Sequence, residues 1–152
     1  MSSNDRIQIN ERVVVGKVPP TLQVVEGLTR EGFRSVVNLR EEAEENQALS
    51  PQQEGEAVRR AGMEYLHIPV SSGAMDPALV DRFRREVSRL PGPVFVHCAS
   101  GRRAGTFSVM LAAAEDGLSG DAALARAKEL GFDWSSTPEL EAFIRRYLDR
   151  SA

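Results

Sequence analysis

Residues 94–116, VFVHCASGRRAGTFSVMLAAAED, decide the fold. Val94–Val96 is the most strand-like run of the chain, because it is short, apolar and rich in β-branched and aromatic residues. From about Ala104 to Asp116 the sequence is apolar on almost every face, which is typical of a helix in the centre of a domain. A loop with one cysteine, one glycine and two arginines joins them. The order is therefore strand, tight loop and buried helix.

Strands and helices alternate along the rest of the chain. One or two short strands are expected within Arg6–Gly16, and others at Ser35–Leu39 and Met63–Val70. Further helices are expected at Leu22–Glu31 (capped by Thr21), Pro51–Ala61, Pro77–Leu90 (capped by Asp76), Gly120–Leu130 and Pro138–Leu148. This alternation predicts an α/β fold with a central, mostly parallel sheet of four to five strands and helices on both faces. In such sheets ligands bind beyond the carboxyl ends of the strands, where the cysteine loop lies.

Length and composition indicate one ordinary globular domain. The chain has 152 residues, of which 41% are hydrophobic, and it contains no repeat or linker. We expect a single domain over residues 1–152, with residues 1–5 disordered. A net charge of −3 argues against nucleic acid as the main partner. The sequence does not indicate an oligomeric state.

Cysteine usage and hydropathy suggest where the protein works. A single cysteine excludes an internal disulfide and indicates a reducing compartment. With only two histidines beside it, a structural zinc site is not expected, and no other metal or cofactor is indicated. The sequence shows neither a secretory signal nor an apolar run long enough for a membrane span. A cytoplasmic location is therefore predicted.

The loop around Cys98 has the groups needed to attack a phosphate ester. A thiolate is the nucleophilic form of cysteine, and a helix N-terminus with nearby cations favours it. A loop that curls into a helix start points backbone N–H groups inward and forms a cradle for an oxyanion, and Gly101 gives the backbone freedom for this curl. The planar guanidinium of Arg103 can bind two phosphoryl oxygens. In isolation, Cys98 and His97 could equally be buried core residues.

The string HCASGRRAG, residues 97–105, resembles the active-site loop of the protein tyrosine and dual-specificity phosphatase superfamily. It is most similar to the bacterial beta-lactamase-hydrolase-like, tyrosine-phosphatase-like branch. Two upstream segments, GFRSVVNLR at 32–40 and GMEYLHIPV at 62–70, extend the resemblance over roughly residues 6–118.

The resemblance implies a phosphatase-like fold and a phosphorylated protein or small molecule as substrate. Cys98 would be the nucleophile, forming a cysteinyl-phosphate intermediate, and Arg103 the phosphate-binding arginine. His97 would tune the thiolate from behind. The phosphate cradle would consist of the amides of the loop residues Ala99, Ser100, Gly101, Arg102 and Arg103. Phosphotyrosine is one of several substrates that fit this cradle.

The chain departs from the superfamily pattern at two positions. The usual spacing is Cys-x5-Arg, which would reach Ala104, whereas this chain has Cys-x4-Arg. The hydroxyl residue that normally follows the arginine and helps the cysteine to leave is also replaced by Ala104. Ser100 or Thr106 could substitute for it. We therefore expect slow hydrolysis of the phospho-enzyme.

The general acid is expected in the turn after the strand EYLHIPV, where the related phosphatases place an aspartate. In this chain that position falls to Asp76, which is also a good N-cap for the next helix. Around the loop, Arg102 is expected to point outward and to be able to contact substrate. Arg40, at the carboxyl end of a strand, could lie near the site or pair with the acidic run Glu41–Glu45, and we favour the pairing. The acidic run itself is interpreted as a solvated face.

Two other functions remain open. Rhodanese-type sulfurtransferases share the pattern Cys-x-Ser-Gly-x-Arg, and VVNLREEAE at residues 36–44 is faintly similar to a segment of that family. His97 and the strand EYLHIPV are unlike it. A phosphate-binding module without turnover is the second alternative, since Ala104 replaces the hydroxyl residue.

Overall fold

The computed structural model describes residues 5–44, 47–71 and 75–150. Within them, strands and helices alternate as predicted. The elements are β1 (Arg6–Gln8), β2 (Val13–Gly16), α1 (Leu22–Arg30), β3 (Ser35–Asn38), α2 (Pro51–Arg60), β4 (Glu64–His67), α3 (Pro77–Val87), β5 (Val94–His97), α4 (Arg102–Glu115), α5 (Gly120–Leu130) and α6 (Pro138–Asp149). Most of the expected disordered segment 1–5, the centre of the turn at 71–75 and Glu45 lie outside the described residues.

The five strands form one sheet in the order β1-β2-β5-β3-β4. The pairs β2–β5, β5–β3 and β3–β4 are parallel, and only β1 runs antiparallel to its neighbour. The predicted α/β fold with a mostly parallel sheet is therefore confirmed. Because β5 is in the middle of the sheet, the loop that follows it lies at the centre of the carboxyl edge.

Helices cover both faces of the sheet, as predicted. Side chains alternate along β5, so Val94 and Val96 pack on one face and Phe95 on the other. The first face is covered by α3, α4, α5 and α6, and the second by α1 and α2. Within the described residues, no helix combines the length and apolar content needed to cross a membrane.

A capping box starts α2 and thereby orients this helix. The Ser50 side chain accepts a hydrogen bond from the Gln53 backbone N–H, and the Gln53 side chain accepts one from the Ser50 N–H. One turn further on, Glu54 points to the sheet and is only 2% exposed. A charged residue on the buried face of a helix needs a partner, which the candidate active site supplies.

Helix α4 is buried almost throughout and is tightly packed at its start. A Cβ atom on Gly105 would lie 2.3 Å from the ring of Phe132, so only glycine permits this contact. Phe132 stacks on Trp134 with 5.7 Å between ring centroids, and Trp134 is 6% exposed. Trp134 thus anchors the α5–α6 turn on the core. This packing fixes α6 beside the start of α4.

Three boundaries differ from the sequence expectations by two residues or more, and one of them is the end of α3, at Val87 instead of Leu90. The strand expected at Met63–Val70 is shorter, because only Glu64–His67 pair with β3. Helix α4 begins at Arg102 instead of Ala104. The reason is Gly101, whose left-handed backbone (φ +88°) ends the loop and starts the helix directly after it. Both arginines of the loop therefore belong to the first turn of α4.

Candidate active site

Cys98 follows β5 directly and is fully buried beneath its loop. The Ala104 N–H, in the first turn of α4, points to the Cys98 sulfur at an N···Sγ distance of 3.4 Å. This curl requires Gly101, since its φ of +88° suits glycine and a Cβ there would lie 3.1 Å from the Lys17 Cα. The sulfur therefore lies at a helix N-terminus, where backbone N–H groups favour negative charge.

Arg103 reaches back from α4 to the end of the sheet. Its Nη1 atom donates to Glu44 Oε2 at 2.6 Å and to the Val70 carbonyl at 2.8 Å, and Nη2 donates to Glu44 Oε1 at 3.0 Å. The pKa of Arg103 is raised, first by the hydrogen bond to Glu44 and further by its interaction with the neighbouring Cys98, whereas burial acts in the opposite direction. The structure thus brings Arg103 and Cys98 together.

The hydrogen bonds to Glu44 leave part of the Arg103 guanidinium available. A guanidinium has five N–H donors, and the three hydrogen bonds described above use both hydrogens of Nη1 and one of Nη2. The Nε hydrogen and the second Nη2 hydrogen lie along another edge of the same plane. Two parallel donors on one edge match two oxygens of a phosphoryl group.

Glu44 is a site residue that the sequence did not reveal. Besides Arg103, it binds Arg40, whose Nε donates to Glu44 Oε1 at 3.0 Å, and it accepts from the Glu41 backbone N–H at 2.6 Å. These contacts lower the pKa of Glu44 to about 2, chiefly through the Arg103 hydrogen bond. The expected pairing of Arg40 with the acidic run is confirmed. The interpretation of that run as a solvated face is wrong at Glu44, which is 19% exposed.

His97 faces away from solvent, into the layer between the sheet and α2. Its Nε2 lies 2.6 Å from Glu54 Oε2, with exposures of 0% and 3% for the two side chains, and its Nδ1 lies 3.4 Å from the Cys98 carbonyl oxygen. The His97 ring thus lies on the α2 side of the sheet, whereas α4 and α6 lie on the opposite side. His97 can therefore act only through the loop that it supports.

The other hydroxyl and guanidinium groups of the loop have partners of their own. Arg102 is exposed and donates from Nη2 to Thr137 Oγ1 at 2.7 Å, which ties the loop to the start of α6. Thr106 donates its hydroxyl to the Arg102 carbonyl at 2.8 Å, so this hydroxyl is engaged in the backbone of α4. Ala99 and Ser100 are exposed at the tip of the loop.

Asp76 caps α3, which is one of the two roles expected for it. Its Oδ1 accepts from the Ala78 backbone N–H at 2.9 Å, and the side chain is exposed. Among the described residues, its hydrogen bond is made within its own helix and not with the Cys98 loop. Its catalytic role stays a prediction.

A cleft of about 630 Å³ opens beside the loop, between the start of α4 and α6. Arg102, Arg103 and Thr106 form one wall. The remaining lining residues come from the segment before α3 and from α6, namely Ser71, Met75, Thr137, Glu139, Leu140, Phe143 and Arg146. Within the described ranges, no group of three or more His, Cys, Asp or Glu side chains is arranged to hold a metal ion. The guanidinium groups of Arg102 and Arg103 thus face this cleft from the first turn of α4.

Residues 11–115 match the family described as beta-lactamase hydrolase-like protein, phosphatase-like domain. The chain belongs to this family. The beta-lactamase hydrolase-like protein of Xylella fastidiosa (strain Temecula1) is 37% identical over 98 residues, which are 64% of this chain and 22% of that protein. The chain thus matches less than a quarter of the length of this relative.

Solved structures with the same fold include proteins that are named as phosphatases. A putative phosphatase from Neisseria meningitidis superposes with a TM-score of 0.75 at 22% identity, covering 91% of this chain and 97% of the other. TpbA of P. aeruginosa, solved as a Cys-to-Ser variant in complex with pTyr, gives a TM-score of 0.71 at 21% identity, covering 93% and 83%. At this level of identity the likeness shows that the phosphatase-like domain has their fold.

In this phosphatase-like domain, sequence reasoning identified the loop but missed its two carboxylate supports. Glu44 and Glu54 both lie between β3 and β4 and bind Arg103 and His97, respectively. A signal existed for Glu54, because the buried residues of α2, Pro51, Glu54, Gly55, Ala57 and Val58, follow helical spacing. For Glu44 the spacing of four residues from Arg40 was the only local hint.

Proposed function

We propose that this domain hydrolyses phosphate monoesters through a cysteinyl-phosphate intermediate on Cys98. The observation that carries the proposal is the placement of Arg103 beside the Cys98 sulfur with one edge of its guanidinium held by Glu44. A thiolate, a planar cation and a helix N-terminus converge on one point. Together they can hold a tetrahedral dianion while the thiolate attacks it. Membership of a phosphatase-like family supports this reading.

In the first step the Cys98 thiolate attacks phosphorus, and the bond from phosphorus to the leaving-group oxygen breaks. The leaving oxygen takes a proton, for which Asp76 is the proposed donor. Arg103 and the loop amides hold the three equatorial oxygens, whose charge grows in the transition state. In the second step water attacks phosphorus and gives a proton to the Asp76 carboxylate, the sulfur–phosphorus bond breaks, and inorganic phosphate and the thiolate are released.

His97 and Glu54 contribute as positioning residues in this proposal. The buried pair holds the end of β5, and the loop with Cys98 begins at the next residue. Because misplacement of a nucleophile by about 1 Å can cost on the order of 10²-fold in rate, a rigid support at this point is of direct catalytic value.

The test is hydrolysis of p-nitrophenyl phosphate by the unmodified protein and by Cys98→Ser and Arg103→Lys variants. We expect no turnover for Cys98→Ser and a loss on the order of 10²–10³-fold in kcat/KM for Arg103→Lys, because lysine keeps the charge but lacks the planar fork. Arg126→Lys is the matched control, since Arg126 pairs with Asp116 and lies outside the cleft.

Equal turnover by Cys98→Ser and the unmodified protein would refute the cysteine mechanism. Transfer of sulfur from thiosulfate to cyanide without phosphate hydrolysis would identify a sulfurtransferase instead. Binding of vanadate, with no rate above that of Cys98→Ser, would identify a phosphate-binding module.

A further inference from the structure

The arginines at the end of the chain differ in their partners. Arg145 on α6 donates to Asp121 at 2.7 Å, and Arg150, which follows α6, donates to Asp81 at 2.7 Å. Arg146 has no side-chain hydrogen bond or ion pair with any residue in the described ranges, and its side chain lines the cleft beside Arg103. Arg146 therefore faces the cleft without a side-chain partner among the described residues, while Arg145, its neighbour in sequence, is paired elsewhere.

The cleft combines this cation with an apolar floor. Met75, Leu140 and Phe143 line it, and Leu140 and Phe143 are 8% and 7% exposed. A second cavity of about 320 Å³ shares Met75, Phe143 and Arg146, so the groove continues past Arg146 and away from the phosphate loop. A substrate that fills it would place an apolar or aromatic body on the floor and further groups near Arg146.

Charge is distributed unevenly along the groove. Glu139 is the only carboxylate that the described residues contribute to the lining of the cleft. It precedes Arg146 by seven residues, which places the two on the same side of α6, about 10 Å apart along the helix. Arg102, which donates to Thr137, also lies near the start of α6, so opposite charges offset each other there. The described residues that line the continuation past Arg146 include no carboxylate, and a second anionic group on the substrate would be favoured at that end.

We propose that Arg146 selects substrates with a second negative charge beyond the phosphate, namely phosphotyrosine within an acidic peptide. This inference rests on the proposed function, because it takes Arg103 and the Cys98 loop as the phosphate site. The aryl ring would pack on Leu140 and Phe143. A carboxylate of the peptide would pair with Arg146, which is exposed, so salt would weaken the preference.

The test measures binding, so that it does not depend on turnover. Two fluorescent phosphotyrosyl peptides are compared on the Cys98→Ser protein by anisotropy, one with Asp and Glu on both sides of the phosphotyrosine and one with Asn and Gln there. We expect about two- to fivefold tighter binding of the acidic peptide. In the same background, Arg146→Ala should make the affinities for the two peptides equal. Arg145→Ala, which removes an equal charge from the adjacent position, should leave the acidic peptide the tighter ligand.

The proposal would be overturned if the two peptides bound equally well to the Cys98→Ser protein. It would also be overturned if both arginine variants lost the preference for the acidic peptide to the same extent. A multiply phosphorylated inositol that binds more tightly than the acidic peptide would also overturn it, because it has no aryl group. These failures are separable from that of the proposed function. If the unmodified protein hydrolyses p-nitrophenyl phosphate but does not distinguish the peptides, only the inference fails. If the protein distinguishes the peptides but does not hydrolyse p-nitrophenyl phosphate, only the proposed phosphatase function fails.

Discussion

The Nε2 atom of His97 lies 2.6 Å from the Oε2 atom of Glu54, and both side chains are buried. This contact joins α2, on one face of the sheet, to the last residue of β5. The nucleophile proposed for the reaction is the next residue in the chain. A polar pair with no access to water is stable only while both partners are present, because removal of one leaves the other without a hydrogen bond.

We therefore expect Glu54→Ala to destabilise the protein by about 3 kcal/mol, as measured by urea unfolding at neutral pH. Glu56→Ala is the control, since Glu56 is an exposed residue of the same helix and its loss should change the free energy of unfolding by less than about 0.5 kcal/mol. Similar effects of the two substitutions would show that the buried pair does not support the fold.

Glu44 gives the protein an acid-sensitive contact. Its pKa in the folded protein is about 2, against an ordinary value of 4.5, so its contribution to stability is complete above pH 4.5 and is lost as the pH falls through about 2. Glu44→Gln should cost about 1 kcal/mol at pH 7, and the difference from the unmodified protein should shrink as the pH is lowered.

The same substitution tests whether Glu44 orients Arg103. We expect kcat/KM for p-nitrophenyl phosphate to fall about tenfold in Glu44→Gln, because the amide binds the guanidinium less firmly. Glu42→Gln is the control in the same loop, where the side chain is exposed and bound to Gln52. A higher activity in Glu44→Gln would instead mean that the carboxylate competes with phosphate for Arg103.

Asp76→Asn separates the two roles of this residue, because asparagine keeps the helix cap but cannot donate the proton of a carboxylic acid. If Asp76 is the general acid, kcat/KM for phenyl phosphate should fall about 10²-fold, and that for p-nitrophenyl phosphate, a better leaving group, should fall less. Glu139→Gln removes the carboxylate that lines the cleft. A selective loss in this variant and none in Asp76→Asn would leave Asp76 as a cap only.

Ala104 affects the second half of the reaction. It is fully buried and its N–H points to the Cys98 sulfur, but it offers no hydroxyl to the departing thiolate. We expect a burst of p-nitrophenol followed by a slow steady state, and Ala104→Ser should raise the steady-state rate and reduce the burst. A linear time course in the unmodified protein would show that breakdown of the intermediate is not limiting.

Local sequence patterns predicted the fold and the position of Cys98, because both depend on neighbours in sequence. The strand Val94–Val96, Gly101 and the apolar helix after it are adjacent, and their order alone places Cys98 at the sheet edge. The supports of the site are different in kind. Glu44 and Arg103 are 59 residues apart, and Glu54 and His97 are 43 residues apart. Such pairs arise only when the sheet is assembled, so a charged residue in a polar segment gives no sign of its partner.

Gly105 has a consequence for substrate choice. With no side chain there, the ring of Phe132 packs directly on α4. A methyl group at this position would meet the ring, so the α5–α6 turn that carries Phe132 would have to move away from the helix whose first turn holds Arg103. Because α6 follows that turn and lines the cleft, we expect a relative with alanine here to have a cleft of different width beside the same loop. Size selectivity and chemistry could thus diverge independently within one helix of this family.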